Sequence, residues 1–416
     1  MFKLFLANRN FRNLTLFSTF GGVGRGLFSI FMMWAIHAMY QNTVYTGIAG
    51  FMFGVPLVAG FLVGPFVDRW NKTIVLRLAE FTKFCVVAVM LMVHLYFYVG
   101  VWFYFLCIFI FSAAAMFSSP AFTALLPRVV DGEDLVTANA TMNIFGIIGG
   151  LGLGAIIIAM PSDELDFAWL YGITAVLLFI AALFTFIFRY KQSATENYEV
   201  AESKTLLRTY FGELGEGFSF IKRGALLFFT AAIMGISFFG DIAYVNFPRL
   251  IDVRLGSASG YMLFSFLALM GNMIGSFICK VVESKFKLRK ILVAAFVFAG
   301  AARIMFVITL GDNFTRAILM YLIYIGFGSV IGIFYHVLIQ KLPPKNLTGR
   351  VDAATRSVSA VAAAIGALAG GFLGTALYVD TVFFIQGGAY LVIAILLCLS
   401  KKIRSLPKIS EIGKDE

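Results

Sequence analysis

Apolar runs long enough to cross a bilayer recur twelve times along the chain, and no other property restricts its fold as tightly. They lie near 12–39, 45–67, 74–97, 101–124, 137–159 and 166–188, then near 225–248, 258–281, 289–310, 316–339, 352–376 and 380–400. A helix needs about 20 apolar residues to span the hydrocarbon core. Inside lipid every backbone polar group must be satisfied within the segment, which leaves helices for runs of this kind. Only 13% of the 416 residues are charged and mean hydropathy is +0.91, far from the roughly 25% charge of a soluble domain. The expected fold class is therefore all-α integral membrane, with twelve transmembrane helices.

The connecting loops alternate in charge. Lys3, Arg9 and Arg12 precede the first run, and Arg69, Lys72 and Arg77 follow the second. Further basic groups follow the sixth, eighth, tenth and twelfth runs, whereas the opposite loops hold the acidic PSDELD at 161–166 and few basic residues. The positive-inside rule then places both termini in the cytoplasm of a multi-pass protein of the cell membrane. Topology accounts for the net charge of +11, so no nucleic acid is required as a partner. The first run is too long for a signal peptide and is expected to be retained. Cys85, Cys107, Cys279 and Cys398 lie in apolar runs without metal spacing and read as inert thiols.

The two sets of six runs look duplicated. FGGVGRGLFSIF at 20–31 carries Gly24-Arg25, and GISFFGDIAYVN at 235–246 carries Gly240-Asp241, an offset of 216. The same offset links Pro127 to Pro343, Gly150 to Gly366, and Gly154 to Gly370. Two six-helix pseudo-repeats follow, with an N-terminal bundle over 1–188 and a C-terminal bundle over 225–400. A cytoplasmic linker with an amphipathic helix occupies 189–224, and a cytoplasmic tail 401–416. Repeated halves of this kind are a transporter plan, with the substrate site near the midplane.

GPFVDRWNK at 64–72 resembles the signature loop of the major facilitator superfamily, G-x-x-x-D-R-x-G-R-K, through Gly64, Asp68, Arg69 and Lys72. Asn71 replaces the second glycine and tolerates a left-handed turn. The resemblance implies that this loop latches the cytoplasmic side; an ordinary positive-inside loop is the alternative. NRNFRNL at 8–14, SSPAFTALLPRVVDGEDLVTANA at 118–140 and LPPKNLTGRVDAATR at 342–356 are similar to the branch that holds macrolide-efflux and enterobactin-export proteins. Exporters of the superfamily often carry G-x-x-x-G-P-x-x-G-G in the fifth span. Gly146, Gly150 and Gly154 match it, with Leu151 in place of proline. Together with Gly366 and Gly370 they are expected to pack helices closely. The fourth span lacks the arginine of many proton-driven drug exporters, so their coupling scheme does not transfer.

Arg25 and Asp241 lie near mid-span, on the first and seventh helices, which line the central cavity in the family. Two readings stand: a structural ion pair holding the halves in register, or groups that bind charged cargo and exchange protons. Intramembrane charges are functional by default. Glu80 and Lys83 are three residues apart on one helical face and read as an interfacial pair. Arg303 has no evident local partner. The chain shows no Walker loop, zinc cluster or nucleophile elbow, so no cofactor, metal or catalytic residue is expected and it is not expected to be an enzyme. The resemblance implies a monomeric secondary transporter in the bilayer, working by proton-coupled efflux of a hydrophobic or amphipathic small molecule such as a drug, macrolide or siderophore. Lipid transport, lysophospholipid above all, and a non-transporting membrane sensor or scaffold remain as alternatives.

Overall fold

The computed structural model describes residues 2–67, 70–130, 134–159, 167–188, 212, 215–222, 225–283, 285–344 and 347–400. A short α1 (Phe2–Ala7) leads into α2 (Arg9–Tyr40), α3 (Thr43–Val67), α4 (Lys72–Tyr96), α5 (Val101–Val129), α6 (Leu135–Ala159) and α7 (Phe167–Ile187). The second set is α8 (Ala225–Leu255), α9 (Ala258–Val282), α10 (Leu288–Thr309), α11 (Phe314–Lys341), α12 (Thr348–Ala376) and α13 (Val379–Leu399). Ten of these are long and apolar enough to cross a membrane. The charge-bearing α4 and the glycine-rich α6 complete the twelve spans, at the positions of the third and fifth apolar runs.

The chain forms two compact units, Met1–Tyr40 with Met52–Leu206, and Gln41–Phe51 with Leu207–Glu416. Within the first, α2 packs on α6 and α7, and α4 on α5 and α7. Within the second, α8 packs on α12 and α13, and α10 on α11 and α13. Each half thus uses the same pairing of its first, third, fourth, fifth and sixth helices, as a duplicated chain must. The first turns of α3 belong to the second unit although sequence order assigns them to the first bundle. Glycine explains this: a Cβ on Gly47 would lie 2.6 Å from Gly371 Cα, and Thr43 Oγ1 donates to the Gly371 carbonyl at 3.0 Å.

Close packing in the second unit centres on α8 and α12. A Cβ on Gly366 would collide with the Phe238 carbonyl oxygen, and one on Gly370 would sit 2.7 Å from Ile242 Cα. Asn246 Nδ2 donates to the Gly370 carbonyl at 2.8 Å, and Arg249 donates to that of Gly374. Where two backbones approach this closely, their carbonyls become available to polar side chains of the partner helix. In α6 the expectation needs correcting for one residue. A Cβ on Gly146 would meet nothing among the described residues, whereas one on Gly149 would lie 2.9 Å from Thr19 Cγ2 and 3.0 Å from Val23 Cγ2. The contact with α2 therefore falls to Gly149, one turn along α6 from Gly146. Gly150 is partly buried and Gly154 buried.

Of the linker, residues 215–221 are helical, held by a Glu216–Arg350 ion pair and by Gly217 against the Arg350 carbonyl. The rest of the proposed amphipathic helix, apart from 212 and 222, and all of the tail from 401 on lie outside the described residues.

Gly366→Ala is expected to lower stability by about 1–3 kcal/mol, because backbone rather than a mobile side chain blocks the new methyl. Gly146→Ala should be neutral or stabilising by about 0.5–1 kcal/mol, since alanine is the better helix former in open space. Thermal unfolding of the detergent-purified variants distinguishes the two outcomes.

Candidate functional site

Arg25 falls at the midpoint of α2 and Asp241 at the midpoint of α8, each partly buried. They belong to separate units, and each has its own surroundings. Asp241 is placed one helical turn before Tyr244, on which its charge acts. Among the described residues of its unit it has no ion-pair or side-chain hydrogen-bond partner.

Arg25 has more elaborate surroundings. Glu80 and Lys83 of α4 are both wholly buried and form an ion pair. The expectation of an interfacial pair is thereby overturned: α5 and α7 cover this face of α4. Lys83 Nζ also reaches Ser118 Oγ of α5 at 3.5 Å, and that hydroxyl donates to the Ala115 carbonyl at 3.2 Å. Lys83 engages Glu80 through Oε1, which leaves Oε2 buried without a hydrogen-bond partner. Oε2 and Arg25 Nη1 each lie 3.5 Å from the point where a Cβ on Gly21 would stand. Arg25 is also within electrostatic reach of Lys83. Two cations and one anion therefore converge beside a glycine of α2.

Arg303, unexplained by sequence, is enclosed in the second unit with only 4% of its surface exposed. Its Nε donates to Gln386 Oε1 of α13 at 2.7 Å, and Gln386 Nε2 donates to the Tyr324 hydroxyl of α11 at 3.0 Å. Its guanidinium carbon stands 4.5 Å from the Tyr324 ring centre, 4.6 Å from Phe383, 5.5 Å from Phe306 and 5.7 Å from Phe247. Aromatic faces attract a cation at such distances, most strongly when it is desolvated. Four helices thus meet on one charge that has no carboxylate partner among the described residues. The available signal was Gln386 itself, an amide inside the apolar run VFFIQGGAY, which needs a partner once buried.

The signature loop is described only at its edges. Gly64 lies in the last turns of α3, while Asp68 and Arg69 lie outside the described residues. Lys72 is buried at the start of α4. Asn71 does not use the left-handed turn expected of it: φ is −65° and ψ 104°, and its side chain caps α4 by accepting from the Thr73 and Ile74 amides at 3.1 and 3.3 Å. An asparagine oxygen satisfies amides that a helix start leaves free, which a glycine cannot do. Elsewhere in the first unit a groove of about 500 Å³ runs between α3 and α5, lined by Leu57, Gly60, Met116, Ser119, Pro120 and Thr123 among others.

Two bundles of six spans with matched helix pairing and charges at mid-helix invite comparison with transporters. The sequence profile of the Major Facilitator Superfamily matches residues 14–367. The chain belongs to this superfamily. An uncharacterised transporter of the superfamily from Bacillus subtilis (strain 168), YvqJ, is 24% identical over 172 residues, which is 40% of this chain and 39% of that relative. The fold is similar to that of the nucleoside transporter NupG, with a TM-score of 0.74 at 15% identity over 94% of this chain and 99% of the other. The inward-open xylose transporter XylE from E. coli gives 0.65 at 13% identity over 96% of each chain. A peptide transporter, POT, gives 0.71 at 12% identity over 94% and 93%. The superfamily member described here is a multi-pass membrane transporter of the secondary type, not an enzyme.

The Glu80–Lys83 pair allows a direct energetic check. Lys83→Met alone should cost about 3–5 kcal/mol, because it strands a buried carboxylate. Adding Glu80→Gln should recover most of that loss, since a neutral pair of similar volume leaves no uncompensated charge. Chemical or thermal unfolding of the single and double variants measures the coupling.

Proposed function

We propose that this transporter exports a hydrophobic or amphipathic small molecule in exchange for protons, by alternating access of a midplane site. The carrying observation is the placement of Arg25 and Asp241 at the middle of equivalent helices, each without an ion-pair partner among the described residues of its own unit. A charge at this depth is expensive, and it persists where it faces protein or water on a transport path. Asp241 is assigned the proton, because a carboxylate in apolar surroundings can take one up and become neutral. Arg25 is assigned to the cargo. Asp68, Arg69 and Lys72, with Gly64 at the turn, serve as the cytoplasmic latch. The helix-packing glycines, Gly366 and Gly370 foremost, keep α8 and α12 together while the bundles rock. The protein acts as a monomer in the cell membrane with both termini in the cytoplasm, as the distribution of basic loops supports. Motifs similar to the macrolide-efflux and enterobactin-export branch support a drug, macrolide or siderophore as cargo.

Proteoliposomes with an imposed pH gradient and a panel of macrolide, siderophore and lysophospholipid probes test this reading. Flux of at least one of the first two classes should follow the gradient in the wild type. In Asp241→Asn it should fall to the level seen without a gradient and lose its dependence on pH. Gradient-driven flux that survives this substitution would remove Asp241 from coupling, and selective movement of the lysophospholipid would replace the cargo class.

A further inference from the structure

The buried charges around Gly21 are unequal in number, and one of their oxygens has no donor. Lys83 holds Glu80 Oε1 and stands 3.5 Å from Ser118 Oγ. Glu80 Oε2 is left in a buried position with nothing to accept from. A buried carboxylate oxygen without a donor carries a desolvation cost that a charge-assisted hydrogen bond would offset. Arg25 is the cation placed to supply one. Its Nη1 and Glu80 Oε2 flank the position that any side chain at Gly21 would fill, each 3.5 Å from it. Gly24, one turn on, lets α2 settle against Leu178 of α7, where a Cβ would lie 3.1 Å from Leu178 Cδ2. The two glycines therefore bring α2 close to α7 and leave a notch open between the guanidinium and the carboxylate.

Arg25 itself is partly buried and has no ion-pair or side-chain hydrogen-bond partner among the described residues of the unit. It carries five N–H donors in a rigid fork, which suits two acceptors in turn. We propose that Glu80 is the internal counter-charge of Arg25, and that it competes for the guanidinium with an anionic group, a carboxylate in the simplest case, on the transported molecule. This rests on the assignment of Arg25 to the cargo and deepens it by naming the cargo's chemistry. Without cargo, Arg25 leans to Glu80 Oε2 through the notch. An arriving anion draws it away, and Lys83 keeps Glu80 from being stranded meanwhile. Glu80 is thus a specificity-determining residue that need not touch the cargo. Neutral amphipaths gain nothing from Arg25 and are disfavoured against acids of the same shape.

Equilibrium binding to purified protein in nanodiscs tests this with two probes, dansylated undecanoic acid and its primary amide, each corrected for empty nanodiscs. The wild type should bind the acid more tightly than the amide. Arg25→Gln should abolish that preference and Arg25→Lys should keep part of it. The double variant E80Q/K83M removes one charge of each sign, so the net charge of the cluster is unchanged and the uncompensated lysine is avoided. It should tighten acid binding about tenfold, the worth of one hydrogen bond to a charged group, and leave the amide unchanged. Equal binding of acid and amide, a preference that survives Arg25→Gln, or a double variant with unaltered acid affinity would each overturn the proposal. No gradient is imposed, so a protein that moves cargo without protons still gives the expected binding pattern. Gradient-driven flux combined with equal binding would retain proton coupling and discard the anionic cargo.

Discussion

Burial takes solvent away from several of this chain's charges, wholly or in part, and protein has to answer what is lost. Three solutions coexist. Glu80 and Lys83 neutralise each other inside the first unit and lean on Ser118. Arg303 is answered without any acid among its described neighbours, by one amide and four aromatic faces. Arg254 and Asp380, towards helix ends, form a partly exposed pair of the ordinary kind. Arg25 and Asp241 have none of these solutions among the described residues of their own units. Charges that find a partner organise a bundle, even where one atom, as Glu80 Oε2 or Arg303 Nη1, stays unsatisfied among the described residues; charges without one are available for work.

Much of this organisation was legible in the sequence, because a bilayer leaves a chain few choices. Twelve apolar runs became twelve spans with ends shifted by a few residues, and the offset of 216 became matched helix pairing in the two halves. What sequence missed depended on helix rotation. Glu80 and Lys83 share a face, but only the covering of that face by α5 and α7 shows it to be interior. Gly146 and Gly149 are three residues apart in a glycine-rich run, and which of them meets α2 is decided by packing. Arg303 drew no partner because its partners are mostly aromatic residues, which are too frequent in this chain to mark anything. Asn71 suits both a left-handed turn and a helix cap, and only the amides of Thr73 and Ile74 decide for the cap.

Membership of the superfamily sets the plan and leaves cargo recognition to this chain's own residues. The three structures compared, with TM-scores of 0.65–0.74, share only 12–15% of its residues, so they carry the arrangement of helices and little of the chemistry between them. Nucleoside and xylose transporters stand together in that comparison, which shows how loosely one arrangement constrains what is carried. In the proposal made above, Arg25 and Glu80 select the cargo and Lys83 holds Glu80.

The two halves also differ at one equivalent joint. In the second unit α9 meets α11 through backbone: a Cβ on Gly275 would strike the Gly326 carbonyl, and one on Gly271 would lie 2.6 Å from Ile325 Cβ. In the first unit the corresponding helices, α3 and α5, flank the groove beside Met116 and Pro120. Atoms facing a void lack the dispersion contacts that resist displacement. Among the described residues, one seam is thus closed by backbone, and the equivalent one, where Gly60 meets the flexible Met116 side chain, is the more compliant. Bending of α5, which carries both Pro120 and Pro127, can be taken up on the compliant side without prising apart a packed interface.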